Sequence, residues 1–227
     1  MIVKLNLQYF TQAGEDLRVN VLNAKGEAVQ HKMQSSDNYV WTVKLDVELP
    51  ASGHIDYYYS VHRQMTELRR EWQMLTHRIE KIDVSCNTCV ANDLWYDIPG
   101  DSYLYSSAFT ECVHRRTHEA LPVKDMKRPL YLKVRAPQLL KGQRLAILGD
   151  ENCLGEWNIS LATPMKETDI NEWTIEIDET KLKRRYFEFK FVAFNDDNQR
   201  SYFWEEGNNR SITLPEMTRG ELVSYEL

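Results

Sequence analysis

Apolar and polar positions alternate along most of this chain, the period-2 signature of strands with one buried face. Val3, Leu5 and Leu7 alternate with polar neighbours, Thr11 to Glu15 supplies a turn around Gly14, and Leu17, Val19 and Val21 alternate again. The run NYVWTVKLDV (38–47), the turn Pro50-Ala51-Ser52-Gly53, and the segments IDYYYSV (55–61), RREWQML (69–75), Arg78 to Val84 and Cys89 to Trp95 continue the pattern. About seven short strands at regular spacing, without a long helical period, predict an antiparallel sandwich or open barrel. Residues 97–128 break the rhythm with Pro99, Gly100, Pro122 and mixed charge, and read as a connection between domains, with a short amphipathic turn possible over Tyr103 to His114. Strand patterning resumes with YLKVRA (131–136), Leu145 to Leu148, Trp173 to Ile177 and FEFKFVAF (187–194). The turn Asn195-Asp196-Asp197-Asn198 then leads into Tyr202-Phe203-Trp204, the loop Glu205 to Arg210, and a last strand over Leu222 to Leu227.

The two halves share landmarks. Trp41 and Trp173, Asp56 and Glu188, Trp72 and Trp204, and Arg78 and Arg210 all lie 132 residues apart, which points to a duplicated unit. Gly14 and Gly142 match at an offset of 128, so the second copy carries four extra residues in GDENCLGEWN, placing Trp157 in a loop. The predicted architecture is all-β, two tandem antiparallel β-sandwich domains of immunoglobulin-like type: residues 1–96, a linker over 97–128, and residues 129–227.

Composition narrows the functional classes. A net charge of −6, with acidic and basic residues mixed along the sequence, argues against a nucleic-acid partner. No apolar run is long enough to span a bilayer, and MIVKLNLQYF lacks the basic start and apolar core of an export signal, so no membrane partner and a cytoplasmic location are expected. Four cysteines are too few for a disulfide scaffold and are expected as thiols. CNTC, followed by His114 and His118, has the wrong separation for a zinc site, so no metal is expected, and no motif calls for a cofactor. Glu205 and Glu206 are adjacent, and neighbours on an extended chain point to opposite sides, a poor arrangement for two carboxylates flanking one glycosidic bond. No nucleophile elbow or phosphate loop is present. The chain is expected to be non-catalytic.

Trp41 and Trp173 sit mid-strand and are expected in the core, whereas Trp157 and Trp204 flank loops rich in Gly, Asn and Glu. A flat indole beside planar amides and a lysine offers stacking for a sugar ring and hydrogen bonds for its hydroxyls. LGEWN, the mid-strand Trp173, FEFKF and WEEGNNR, in that order, resemble the starch-binding domain of carbohydrate-binding module family 20 across nearly all of residues 129–227. That resemblance implies an α-glucan site built from Trp157, Lys190, Trp204 and Asn209, with Glu205 beside them and Arg210 supporting the loop. The family's second site uses a tyrosine where this chain has Lys141. In the first half the Trp157 loop shrinks to LNAKGE, Trp72 persists, and Tyr58 and His77 stand where the lysine and asparagine would be, implying either a weaker glucan site or a structural role. Tandem modules followed by DLWYDIPGDSYLYSSAF resemble the N-terminal region of amylomaltase-like 4-α-glucanotransferases of glycoside hydrolase family 77. The implied partners are starch, glycogen or malto-oligosaccharide and a downstream catalytic domain of the same polypeptide. The competing expectation is a protein-interaction or structural sandwich pair docked on that domain.

Overall fold

The computed structural model describes residues 1–48, 53–80, 86–119, 121, 126–195 and 202–227. The turns expected at Pro50–Gly53 and Asn195–Asn198, and the end of the strand expected over Arg78–Val84, fall wholly or partly outside them. Almost all regular structure is β, and the chain divides into two compact units, Met1–Gly100 with Gly220–Glu226, and Asp101–Arg219 with Leu227. The division expected from sequence lies over 97–128, with the final strand in the second domain. No helix among the described residues is long and apolar enough to cross a membrane.

Unit 1 contains β1 (Ile2–Gln8), β2 (Asp16–Leu22), β3 (Ala28–Lys32), β4 (Val40–Asp46), β5 (Ile55–Arg63), β6 (Thr66–Arg70), β7 (His77–Ile79) and β8 (Thr88–Asp93). One sheet runs β8-β1-β4, with β1 antiparallel to β4 and parallel to β8; the other runs β3-β2-β5-β6 with β7 also on β5. In β1 and β2 the alternation buries Val3, Leu5, Leu7, Leu17 and Val19, and Trp41 from β4 joins them at 4% exposure. Burial of such side chains at roughly 1.5–3 kcal/mol each supplies the driving force for the sandwich.

Unit 2 contains β9 (Pro129–Arg135), β10 (Gln143–Gly149), β11 (Thr163–Pro164), β12 (Lys166–Asp169), β13 (Glu172–Asp178), β14 (Tyr186–Asn195), β15 (Tyr202–Trp204) and β16 (Arg210–Thr213). Its sheets run β12-β13-β9 and β11-β10-β14-β15 with β16 also on β14. Phe187 and Phe189 are fully buried and Phe191 nearly so, with Trp173 at 3% exposure. A short 3-10 turn over Ser102–Tyr105 and a π-helical turn over Ala108–Val113 precede β9. The last strand, β17 (Glu221–Glu226), pairs in parallel with β8.

Strand pairing resolves which landmarks correspond. Leu7 faces Trp41 as Val134 faces Trp173, and Val21 faces Tyr57 as Gly149 faces Phe189, so the tryptophan pair 41/173 and the acidic pair 56/188 are in register. The other two pairs are not. Ser60 faces Arg70, and the matching Val192 faces Trp204, so the strand position of Trp204 belongs to Arg70 in unit 1. Trp72 lies two residues further on, beyond β6, which corrects the strand expected over 69–75. Likewise Arg78 faces Asp56, whereas Arg210 faces Phe189; the residue that pairs like Arg210 is His77, opposite Tyr57. A one-residue slip in a strand turns the side chain to the other face.

Candidate functional site

Three elements of unit 2 carry the residues expected at the site. After β10, the 3-10 turn Asn152–Leu154 ends at Gly155 (φ 83°), and Glu156 and Trp157 also adopt left-handed backbone (φ 47° and 60°). Such conformations are costly for residues with a Cβ. They are held by the Trp157 amide donating to the Gly149 carbonyl (2.9 Å) and the Asn158 amide to the Gly155 carbonyl (2.8 Å). Glycine is required at 155, where a Cβ would meet the Leu161 carbonyl oxygen at 2.7 Å. The outcome is an indole 37% exposed at the end of β10.

On β14, the residues that alternate with the buried phenylalanines are Glu188 and Lys190, as the period-2 pattern predicted. The Lys190 ammonium donates to the Glu205 carbonyl (3.1 Å) and the Gly207 carbonyl (2.7 Å), and Gly207 turns the loop at φ 84°. An ammonium has three hydrogens, leaving, among the described residues, one for a ligand oxygen. Trp204 closes β15 opposite Val192, with the same strand parity as Lys190, and is 46% exposed.

Asn209 is exposed and donates its amide to Glu188 Oε2 (3.0 Å), while Tyr186 donates its hydroxyl to Oε1 (2.9 Å). These two donors, Asn209 first, hold the Glu188 carboxyl below its ordinary pKa. From sequence Glu188 is a repeat landmark and not a site residue, though its outward place two residues before Lys190 is legible there. Glu205 acts inward: Oε1 takes the Arg210 guanidinium (2.7 Å from Nε) and Oε2 the Phe191 amide (3.2 Å). Arg210 also lies over the Phe191 ring, 5.2 Å from its centroid. Glu205 is therefore a brace for the loop rather than an outward-facing group. Unit 2 thus presents two exposed indoles, at Trp157 after β10 and at Trp204 at the end of β15, an ammonium fixed by two carbonyls, and a side-chain amide fixed by a carboxylate, groups suited to a neutral, polyhydroxylated ring.

Unit 1 does not reproduce it. His77 is fully buried, its Nδ1 3.0 Å from Glu226 Oε1 and its Nε2 3.0 Å from Glu71 Oε1, so it cannot meet an external ligand. Burial opposes a charged imidazole, but the carboxylates on both nitrogens prevail and raise its pKa well above the ordinary value. Tyr57 and Tyr59 donate their hydroxyls to Asp93 Oδ2 (2.8 and 2.6 Å) in the same cluster. Trp72 is half-buried outside β6, and only Tyr58 keeps the register of its counterpart, Lys190. The Arg70 guanidinium lies 5.7 Å from the Tyr58 ring centroid, where unit 2 has Trp204 and Lys190. The four cysteines are thiols, with Cys86 and Cys89 buried.

Residues 127–224 match the family model described as the starch binding domain, CBM20. Among solved structures, the chain is similar to the family 20 carbohydrate-binding module of the maltotetraose-forming amylase from Pseudomonas saccharophila STB07, with 17% identity and a TM-score of 0.34 over 44% of this chain and 99% of that one. It is also similar to the glycoside hydrolase family 15 glucoamylase of Hypocrea jecorina (19% identity, TM-score 0.36, 48% of this chain and 18% of that one). A further match is the gamma-CGTase of alkalophilic Bacillus clarkii (12% identity, TM-score 0.36, 92% of this chain and 23% of that one). The chain spans about a fifth of the length of these last two enzymes.

Proposed function

We propose that this chain binds α-glucans, such as starch, glycogen or malto-oligosaccharide, without catalysing a reaction on them, through a site in unit 2 formed by Trp157, Lys190, Trp204 and Asn209. The observation that carries this reading is the exposed Trp204 indole on the same strand parity as a Lys190 ammonium immobilised by the Glu205 and Gly207 carbonyls. The starch-binding family match over residues 127–224 supports it. Stacking on two rings with few polar contacts must offset lost ligand freedom, so affinity falls in the roughly micromolar to millimolar range. By its resemblance at the sequence level, the pair of units is the N-terminal substrate-binding region of a 4-α-glucanotransferase, delivering glucan to a catalytic domain on the same polypeptide. Unit 1 is assigned a structural or protein-contacting role, because its counterpart of Trp204 is Arg70 and its His77 is enclosed.

Affinity electrophoresis through gels with and without soluble starch tests this, with Trp157→Ala/Trp204→Ala run beside the parent chain and far-UV circular dichroism as the control for folding. The parent is expected to be retarded and the folded double variant not. Equal retardation of both would remove the site from unit 2.

A further inference from the structure

The face of β14 that carries Lys190 runs back toward the start of the strand and ends there in an aromatic ring. Tyr186, Glu188 and Lys190 alternate with the fully buried Phe187 and Phe189, so the three share the outer face, with Tyr186 46% exposed. Residues opposite one another in an antiparallel pair lie on the same face. On β16 those opposite are small: Thr213 faces Tyr186 and Ser211 faces Glu188, both exposed. That strand therefore raises nothing larger than a threonine beside the ring.

A single carboxylate ties the ring to the residues assigned to the glucan. Glu188 Oε1 accepts from the Tyr186 hydroxyl (2.9 Å) and Oε2 from the Asn209 amide (3.0 Å), so phenol and amide are fixed by the two oxygens of one group. Lys190, the next residue along the face, is fixed to the loop that leads to Asn209 through the Gly207 carbonyl (2.7 Å). At about 3.4 Å per residue, Tyr186 lies about 13 Å from Lys190 along the strand and about 20 Å from Val192, the partner of Trp204. A phenol anchored by its hydroxyl has little rotational freedom left to lose, which makes its flat face an inexpensive contact surface. Unit 1 has a carboxylate at the matching position, Asp56, but pairs it with His54 (3.4 Å) and Arg78 (2.6 Å). Bracing this carboxylate thus requires neither a tyrosine nor an amide, and unit 2 has both.

We propose that Tyr186 is an extension subsite for a linear α-glucan, in which a sugar ring beyond Asn209 packs on the exposed phenol while its hydroxyls meet Ser211 and the remaining acceptor positions of Glu188. The inference rests on the glucan reading of Trp157, Lys190, Trp204 and Asn209, and adds to it a dependence on chain length. A trisaccharide seated at Trp204 and Lys190 ends short of Tyr186, whereas a longer chain covers the row of about 20 Å from one aromatic to the other. Stacking on one face of an exposed ring gives a modest gain, about three- to tenfold in affinity.

Isothermal titration with maltotriose and maltoheptaose tests this on the parent chain, Tyr186→Ala, Tyr186→Phe and Trp204→Ala, each checked for folding by far-UV circular dichroism. Tyr186→Ala is expected to weaken maltoheptaose about three- to tenfold and maltotriose by less than about twofold. Tyr186→Phe keeps the ring and loses only the bond to Glu188, so it should stay within about twofold of the parent for both sugars. Trp204→Ala should weaken both. Equal losses for the two sugars in Tyr186→Ala would overturn the subsite, and so would parent-like binding of maltoheptaose by that variant. In either case a parent that binds both sugars and loses them in Trp204→Ala retains the glucan reading; a parent that binds neither overturns the reading and the subsite together.

Discussion

Raising the pH from 5.5 to 8 should destabilise unit 1, through the buried cluster at the end of its sandwich. Asp93 is 6% exposed and faces the Tyr57 and Tyr59 hydroxyls from β5, His77 from β7 and Glu226 from β17; its carboxyl lies within 4.8 Å of ligating atoms of both His77 and Glu226. Burial, and then the charge of Glu226, push its pKa from 3.8 up to about 7, against the opposing pull of His77 and the two tyrosines. Between those values the folded state holds a proton that the unfolded state has released, so stability falls as pH rises through the window. At about 1.36 kcal/mol per pKa unit the full effect is on the order of 4 kcal/mol at pH 8. His77 acts in the same direction: its pKa is raised, so its contribution is complete below 6.5 and is lost as the pH climbs above that. Glu15 sets the acid edge, because the Arg69 hydrogen bonds, against the cost of burial, lower its pKa from 4.5 to about 2, and its contribution fades as pH falls through that range. Urea unfolding at half-unit pH steps, followed by tryptophan fluorescence, should therefore give a maximum at about pH 4 to 4.5. Asp93→Asn mimics the protonated acid, since its carbonyl can accept from both tyrosines; it should be close to the parent at pH 5.5 and more stable by about 2–4 kcal/mol at pH 8. A parent chain with level stability from pH 5 to 8, or an asparagine variant equally impaired at both ends, would refute the reasoning.

Four further substitutions separate the core from the site. Trp173→Ala empties a core position at 3% exposure and should cost about 3–5 kcal/mol in urea unfolding, whereas Trp204→Ala, at 46% exposure, should cost about 1–2 kcal/mol while abolishing retardation in starch gels. Gly155→Ala places a Cβ 2.7 Å from the Leu161 carbonyl oxygen in left-handed backbone; a loss of about 1–3 kcal/mol and weakened starch retention are expected, and a variant unchanged in both would show that the loop does not depend on that glycine. Lys190→Met removes the bonds to the Glu205 and Gly207 carbonyls and should weaken binding of maltoheptaose, read by isothermal titration, about tenfold with the far-UV spectrum preserved.

Local chemistry determined much of this protein. Alternation along β1, β2, β4, β5 and β14 was enough to predict strands and to say which residues enter the core, because burial on one face of a pleated strand is a property of successive residues. The same rule placed Lys190 outward and Trp41 and Trp173 inward. Gly14 and Gly142 were legible as matching turns, and both adopt left-handed backbone at φ 81° and 82°.

Correspondence between the two halves was decided only in three dimensions. An equal spacing of 132 residues matched Trp72 with Trp204 and Arg78 with Arg210, yet spacing counts the residues of turns as well as strands, and turns here differ in length. β5 returns through a tight turn with Gln64 at φ 56° and a register shift between Val61 and His62, so β6 ends at Arg70, ahead of Trp72. Pairing across strands, which fixes the face of each side chain, assigned the place of Trp204 to Arg70 and that of Arg210 to His77. The bond between His77 and Glu226 spans 149 residues of sequence, and no local pattern announces a histidine that will be enclosed by a carboxylate so far along the chain.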